Sequence, residues 1–235
     1  MARDLYRFYS IKGYNDKKYK LTLFNCQRVN YENRVYSDKG SVNDEKLDNN
    51  LSRAKNKIFD YAYCNEWDYF ITLTIDKSKY DRTDLQKYYK DFSKWINNKN
   101  RSANIQYILV PELHSDSVSW HMHGLIKGIS PNELTYNDNG FLDWLSYSNK
   151  FGYCSIAKIR SRERVSSYIT KYVSKSLRDC IKSIGAHLYY CSKGLKLPQI
   201  IDEGLTTAMV SPDYKNDYVD VKYYSDISDF GFLIE

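Results

Sequence analysis

The chain reads as an α+β protein built round an antiparallel sheet. Three observations lead there. Short runs rich in β-branched and aromatic residues stand at 69–76, 105–113, 119–127 and 152–160. Segments with apolar steps of three and four lie on either side of the first run. The link between the second and third runs is short and polar, as a hairpin requires. The resulting order is β-α-β-β-α-β-α, a central antiparallel sheet with helices expected on one side, of the ferredoxin or RNA-recognition type.

The first helix begins near Asn43. In DEKLDNNLSRAKNKIFDYAYCNEW, residues Leu47, Leu51, Ala54, Ile58 and Ala62 form one apolar stripe. YFITLTID (69–76) is the first core strand. Asp81-Arg82-Thr83-Asp84 then offers N-caps for a helix through Asn97, with Leu85, Tyr88, Tyr89, Phe92, Trp95 and Ile96 facing inward. IQYILVPEL (105–113) and SWHMHGLIK (119–127) make the hairpin. PNELTYNDNG (131–140) reads as a loop, and FLDWLSYSNKFG (141–152) as a short helix ending near Gly152. GYCSIAKIR (152–160) reads as a strand and RVSSYITKYVSKSLRD (164–179) as the last helix. The whole is expected to be a single domain, 1–235, with its core at about 46–197. Residues 1–45, with a strand at YKLTLF (19–24), and 198–235, with a strand at YVDVKYY (218–224), read as additions.

Composition narrows the function. No run of about 18 apolar residues exists, so no membrane span is expected. The charged, aromatic N-terminus lacks the apolar stretch of a secretory signal. The cysteines Cys26, Cys64, Cys154, Cys180 and Cys191 are scattered, with no C-x-x-C pair. That argues against a zinc knuckle or a disulfide framework and fits free thiols in a reducing cytoplasm. A net charge of +6 with 24 tyrosines suits a nucleic-acid partner, since cations meet phosphate and aromatic faces stack on bases. An AT-rich genome would give the same bias.

Three of the four histidines fall in VPELHSDSVSWHMHGLIKG (110–128). Alternate strand residues share a face, so His121 and His123 point the same way, and Trp120, Met122 and Ile126 point into the core. A hairpin centred between Asp116 and Ser117 sets Glu112 opposite His121, about 4.5–5.5 Å away between Cβ atoms. His114 shares that face nearer the turn. Two imidazoles and a carboxylate make a mixed N/O donor set for a divalent cation with positions left open. The competing reading, structural histidines, is weakened because an unliganded cluster repels when protonated.

The helix 164–179 carries two stripes. Val165, Ile169, Val173 and Leu177 face the core; Tyr168, Lys171, Tyr172 and Lys175 form a second, polar stripe. Upstream, Lys158, Arg160, Arg162 and Arg164 crowd the strand-to-helix turn, either as a solvated edge or as a track for backbone phosphates.

FITLTID (70–76), HMHGL (121–125) and YITKY (168–172) resemble, in order, the three motifs of the HUH endonucleases. They match the F-x-T-L-T strand, the His-hydrophobe-His metal motif and the Y-x-x-K nucleophile helix with a second tyrosine. The segment before the tyrosine helix, with Trp144, Gly152-Tyr153 and CSIAKI, is similar to that of rolling-circle replication initiators of small phages and plasmids. The resemblance covers roughly 46–197, including HLYYCSKGLKLP. It implies a tyrosine that attacks a scissile phosphate in single-stranded DNA at a replication origin. The products are a 5′-phosphotyrosine and a 3′-OH that primes synthesis. By motif, His121 and His123, with Glu112 as the third, would hold Mg²⁺ or Mn²⁺. Tyr168 would be the first nucleophile and Tyr172 the second, and Lys171 would contact the phosphate. No G-x-x-x-x-G-K-[ST] is present, so unwinding is expected from a host or separate helicase, with a DNA polymerase as further partner. A transposase or relaxase of the same superfamily would share these residues. A non-catalytic single-strand binder would instead place aromatics on the sheet where Thr72, Thr74 and the histidines stand.

Overall fold

The computed structural model describes residues 6–14, 17–25, 44–101, 103–137, 140–174 and 185–233. Its contacts fall into two compact units: Val42–Lys196, and Met1–Ser41 together with Leu197–Glu235. The sequence reading takes 1–235 as one domain; in the structure the two flanking extensions share a sheet with each other. In chain order the elements are β1 (Arg7–Tyr14), β2 (Lys18–Phe24), α1 (Asp44–Cys64), β3 (Tyr69–Thr74), α2 (Leu85–Lys99), β4 (Gln106–Leu113) and β5 (Trp120–Lys127). There follow β6 (Leu134–Tyr136), β7 (Leu142–Trp144), α3 (Leu145–Lys150), β8 (Cys154–Lys158), α4 (Arg162–Ile169), β9 (Tyr190–Cys191), β10 (Gln199–Thr206), β11 (Tyr214–Lys215) and β12 (Val219–Tyr224). The class is α+β with antiparallel sheets, as the pattern of strands and helices predicts.

The 42–196 unit holds a seven-stranded sheet in the order β6-β7-β8-β3-β5-β4-β9. β3 sets its two faces. Ile71 and Leu73 are fully buried on one, and Phe70, Thr72 and Thr74 stand on the other. On β5, Met122 pairs with Leu73, while His121 and His123 pair with Thr74 and Thr72. On β4, Glu112 pairs with His121, the register a hairpin centred between Asp116 and Ser117 requires.

The helices divide between the two faces, where the sequence pattern reads as one-sided cover. α2 lies on the Ile71 face, its Phe92 ring 5.6 Å from Tyr107, which shares that face with Ile126. α4 lies on the Phe70 face, its Tyr168 ring 5.4 Å from Phe70, and α1 packs beside α4. The reason is in β4: Ile108, Leu109 and Val110 are successive and all fully buried, so both faces of the sheet need cover.

α2 starts where expected, with the Asp84 carboxylate accepting from Lys87 N–H at 2.9 Å. Its buried stripe of Leu85, Tyr88, Phe92 and Ile96 meets Trp144, Tyr147 and Phe151 in one aromatic core. Tyr88 and Tyr147 are buried there, but their hydroxyls bond each other at 2.9 Å. Gly152 has φ +150°, and a Cβ there would strike Asp76 N and Thr74 O. Its absence lets 151–153 lie against the end of β3, where Thr74 N–H donates to Tyr153 O and Asp76 N–H to Phe151 O.

Two expectations are corrected. The loop 131–140 contains β6, and the helix expected over 141–152 is confined to α3 because Leu142–Trp144 instead form β7, paired with β6. Asn137 drives this: its side chain accepts from Phe141 N–H at 3.0 Å, and Gly140 turns the chain at φ +74°. The helix expected over 164–179 ends at Ile169 and tightens into a 3₁₀ turn at Thr170–Tyr172. Thr170 Oγ1 donates back to Ser167 O at 2.7 Å, which competes with the α-helical ladder. Leu177 and Lys175 lie outside the described residues.

The other unit is a five-stranded antiparallel sheet, β10-β1-β2-β12-β11. Tyr9, Ile11, Leu21 and Leu23 line one face, covered by Phe230 from a 3₁₀ stretch at Ile227–Leu233. Arg7 ties the sheet across three strands, with its Nη1 2.9 Å from Asp220. No described helix is long and apolar enough to cross a membrane. Cys64, Cys154 and Cys191 are free thiols; Cys26 and Cys180 lie outside the described residues.

Candidate metal and tyrosine site

The site grows from the β4–β5 hairpin. Its turn is held by Asp116, whose carboxylate accepts from Val118 N–H at 3.0 Å and Ser119 N–H at 2.9 Å. Those bonds, with Ser119's side chain and then Arg82, keep the carboxyl of Asp116 well below the usual carboxylate range. Arg82 braces the same turn, its Nη2 donating to Ser119 Oγ at 2.8 Å and its carbonyl accepting from Trp120 N–H at 2.9 Å. A hairpin fixed in this way brings Glu112, His121 and His123 to one point. His121 Nε2 lies 2.9 Å, and His123 Nε2 2.7 Å, from Glu112 Oε2, and the two nitrogens are 2.8 Å apart.

Burial pushes the pKa of both imidazoles down. For His121, burial leads and Glu112 opposes. For His123, burial and then the neighbouring His121 take it to about 4. Both are therefore neutral near pH 7, and each can offer a ring lone pair. Thr72 Oγ1 sits 3.0 Å from His123 Nδ1. With Nδ1–H donating to that hydroxyl, Nε2 carries the lone pair and faces the carboxylate and the other imidazole. Lone pairs so close need positive charge between them, and two imidazoles with one carboxylate oxygen are a donor set that a divalent cation satisfies. His114 stands beside them, its ring 4.2 Å from that of His121.

α4 and its 3₁₀ extension bring the tyrosines to this point. The Tyr172 ring stacks on His123 at 3.8 Å and 18°. Its hydroxyl donates to Tyr168 Oη at 2.9 Å. Phe70 is their common floor, 5.4 Å from Tyr168, 6.3 Å from Tyr172 and 6.1 Å from His123. Tyr168 is open to solvent, 43% exposed. Tyr172 is half-buried, and its pKa is raised by burial, then by its bond to Tyr168, and by the nearby charge of Glu112. Lys171 is exposed and lies 5.2 Å over the Tyr168 ring. Of the basic residues read as a phosphate track, Lys158, Arg160 and Arg164 are exposed and Arg162 half-buried; Lys175 lies outside the described residues.

The structure thus brings together Glu112, His121, His123, Tyr168 and Tyr172. Phe70 and Thr72, which sequence reasoning gave no role at the site, join them. Their signal is the F-x-T-L-T alternation, which puts both on the histidine face of β3.

Residues 68–177 match the model of a family described as replication-associated protein ORF2. No curated protein and no solved structure matches. The matched segment runs from β3 through the hairpin to the tyrosine helix, so it contains every residue of this site. Residues 68–177 belong to a family of rolling-circle replication initiators.

Proposed function

We propose that the 42–196 unit nicks and rejoins single-stranded DNA at a replication origin through a tyrosine–phosphate link. The observation that carries this reading is the contact chain from Glu112 and His121 to His123, to the stacked Tyr172, to the exposed Tyr168. Glu112, His121 and His123 would hold Mg²⁺ or Mn²⁺, which when bound polarises and orients the scissile phosphate.

Tyr168 is the first nucleophile. Its hydroxyl accepts a hydrogen bond from Tyr172, which favours its phenolate, and the Lys171 ammonium over its ring acts in the same direction. Tyr172 is the harder of the two to ionise, since burial and that same bond hold its proton. In the step itself Tyr168 Oη forms a bond to phosphorus and its proton passes to solvent. The P–O3′ bond breaks, the 3′ oxygen takes up a proton, and the 5′ phosphate stays on the tyrosine. The free 3′-OH primes synthesis by a DNA polymerase, with a host or separate helicase opening the duplex in the bacterial cytoplasm. Tyr172 serves the later strand transfer. Lys171 contacts the phosphate, and Lys158, Arg160, Arg162, Arg164 and Lys175 track the backbone.

The test is a single-stranded origin oligonucleotide incubated with the full chain and Mn²⁺. A protein–DNA adduct that survives denaturing electrophoresis is expected, lost in EDTA and in Tyr168→Phe. No adduct with any strand of the origin region would sink the reading. An undiminished adduct in Tyr168→Phe would move the attack to Tyr172.

A further inference from the structure

The terminal sheet has a second face that its own core does not use. Strand alternation puts Tyr9, Ile11, Leu21 and Leu23 on the face closed by Phe230. The neighbouring residues point the other way. Cross-strand register sorts them into rows. One row is Leu205–Phe8–Phe24–Val219, and another is Ile200–Lys12–Lys20–Tyr223. Between them Tyr214 extends the row of Ser10, Thr22 and Val221. This face is open along its edges: Leu205 is 67%, Ile200 61%, Tyr214 56% and Tyr223 46% exposed. Phe8 and Phe24 are half-buried, their rings 5.7 Å apart on adjacent strands.

An ordinary solvated sheet face carries charged and hydroxyl residues. This one alternates rings with ammonium groups, Lys12 and Lys20 in the Tyr223 row and Lys18 on the next residue pair along β2. One carboxylate, Glu203, stands on the edge strand opposite Ser10. Rings spaced one strand apart suit unpaired bases, which stack without regard to sequence, and lysines between them suit the phosphates that link those bases. A duplex hides its base faces, and a protein partner gives no reason for a line of lysines through the aromatic rows.

We propose that this face binds single-stranded DNA, with Phe8, Phe24, Tyr214 and Tyr223 as stacking positions and Lys12 and Lys20 as phosphate contacts. The choice of DNA rests on the replication reading of the 42–196 unit. The platform would give that unit a second hold on the unwound strand, which raises its effective concentration at the scissile site.

The experiment measures binding of fluorescein-labelled oligo(dT) and of a matched duplex to the full chain in EDTA, by anisotropy over a salt series. Chelation stops metal-dependent cleavage, so the outcome is independent of the adduct assay, and either reading can fail alone. Tyr214→Ser/Tyr223→Ser is expected to weaken oligo(dT) binding about tenfold or more. Lys12→Gln/Lys20→Gln is expected to lower the slope of log affinity against log salt by about 0.7 for each phosphate no longer neutralised. All four positions are exposed or half-exposed, and thermal melts confirm that each variant is folded. Unchanged oligo(dT) affinity and slope in both folded variants overturn the proposal. So does an equal loss on the duplex, which would indicate backbone binding without stacking, or a dimer in sedimentation that the same substitutions dissociate.

Discussion

Thr72 is the least conspicuous residue of the site, and its effect should be out of proportion to its size. It makes one contact, to His123 Nδ1, and that contact decides which ring nitrogen is free. Thr72→Val keeps the β-branched shape of the strand and removes the hydroxyl. Mn²⁺ affinity is expected to fall about 10–100-fold, read by titration calorimetry; an unchanged affinity would show that His123 needs no orienting partner. Tyr172 has two roles that a phenylalanine separates. Tyr172→Phe keeps the ring on His123 and deletes the bond to Tyr168. The adduct should still form, slowed by roughly 10–100-fold as the support for the Tyr168 phenolate is removed. A rate equal to the parent chain would remove Tyr172 from the first step.

The hairpin is the element that makes the cluster. A slip of one residue would turn His121 and His123 away from Glu112, so the turn is as important as the ligands. Asp116 holds it with two backbone bonds, and Ser117 turns the chain at φ +57°, a conformation that glycine or asparagine adopts more readily than serine. Asp116→Ala should loosen the tip and weaken Mn²⁺ binding while the β3–β5 pairing persists, which amide exchange can separate: faster exchange at 117–119, little change at 122–126. The tyrosine element works by ending early. A continuous helix would carry Tyr168 and Tyr172 on one stripe with like surroundings. The 3₁₀ turn that begins at Thr170 leaves one ring stacked on a histidine and the other in solvent.

At the level of the 42–196 unit, stability rests on an aromatic core. Phe92 is fully buried among Tyr88, Trp95, Tyr107, Tyr147 and Phe151. Phe92→Ala should cost about 3–5 kcal/mol, measured by urea unfolding. The same core predicts the response to alkali. Burial pushes the Tyr88 and Tyr147 hydroxyls up from the ordinary phenol value. The unfolded chain loses these protons first, from about pH 10. Their contribution is therefore fully present below about pH 10 and is lost as pH rises towards the folded-state values. Tyr147→Phe should lower stability at pH 8, by leaving Tyr88 without its partner, and should flatten the fall above pH 10. An equally steep fall would place the alkali-sensitive groups elsewhere.

Much of this was legible along the chain because it is periodic. The steps of three and four in α1 and α2, the alternation of β3, the Asp84 cap and the pairing of Glu112 with His121 depend on a few neighbouring residues, and local geometry carries them into the fold unchanged. The metal-ligand set is of this kind, since a two-residue spacing and a short hairpin suffice to write it. The turn from Asn137 to Gly140, the early end of the tyrosine helix and β1, β10 and β11 were missed. In each, a side-chain bond or a distant strand outweighs the local pattern: β1 pairs with β10 across almost the whole chain. The division of the helices between two faces, the stacking of Tyr172 on His123 and the orienting role of Thr72 were also beyond reach. These depend on which faces of separate elements meet, and that is set by the packing of the whole core, where no single segment holds the information.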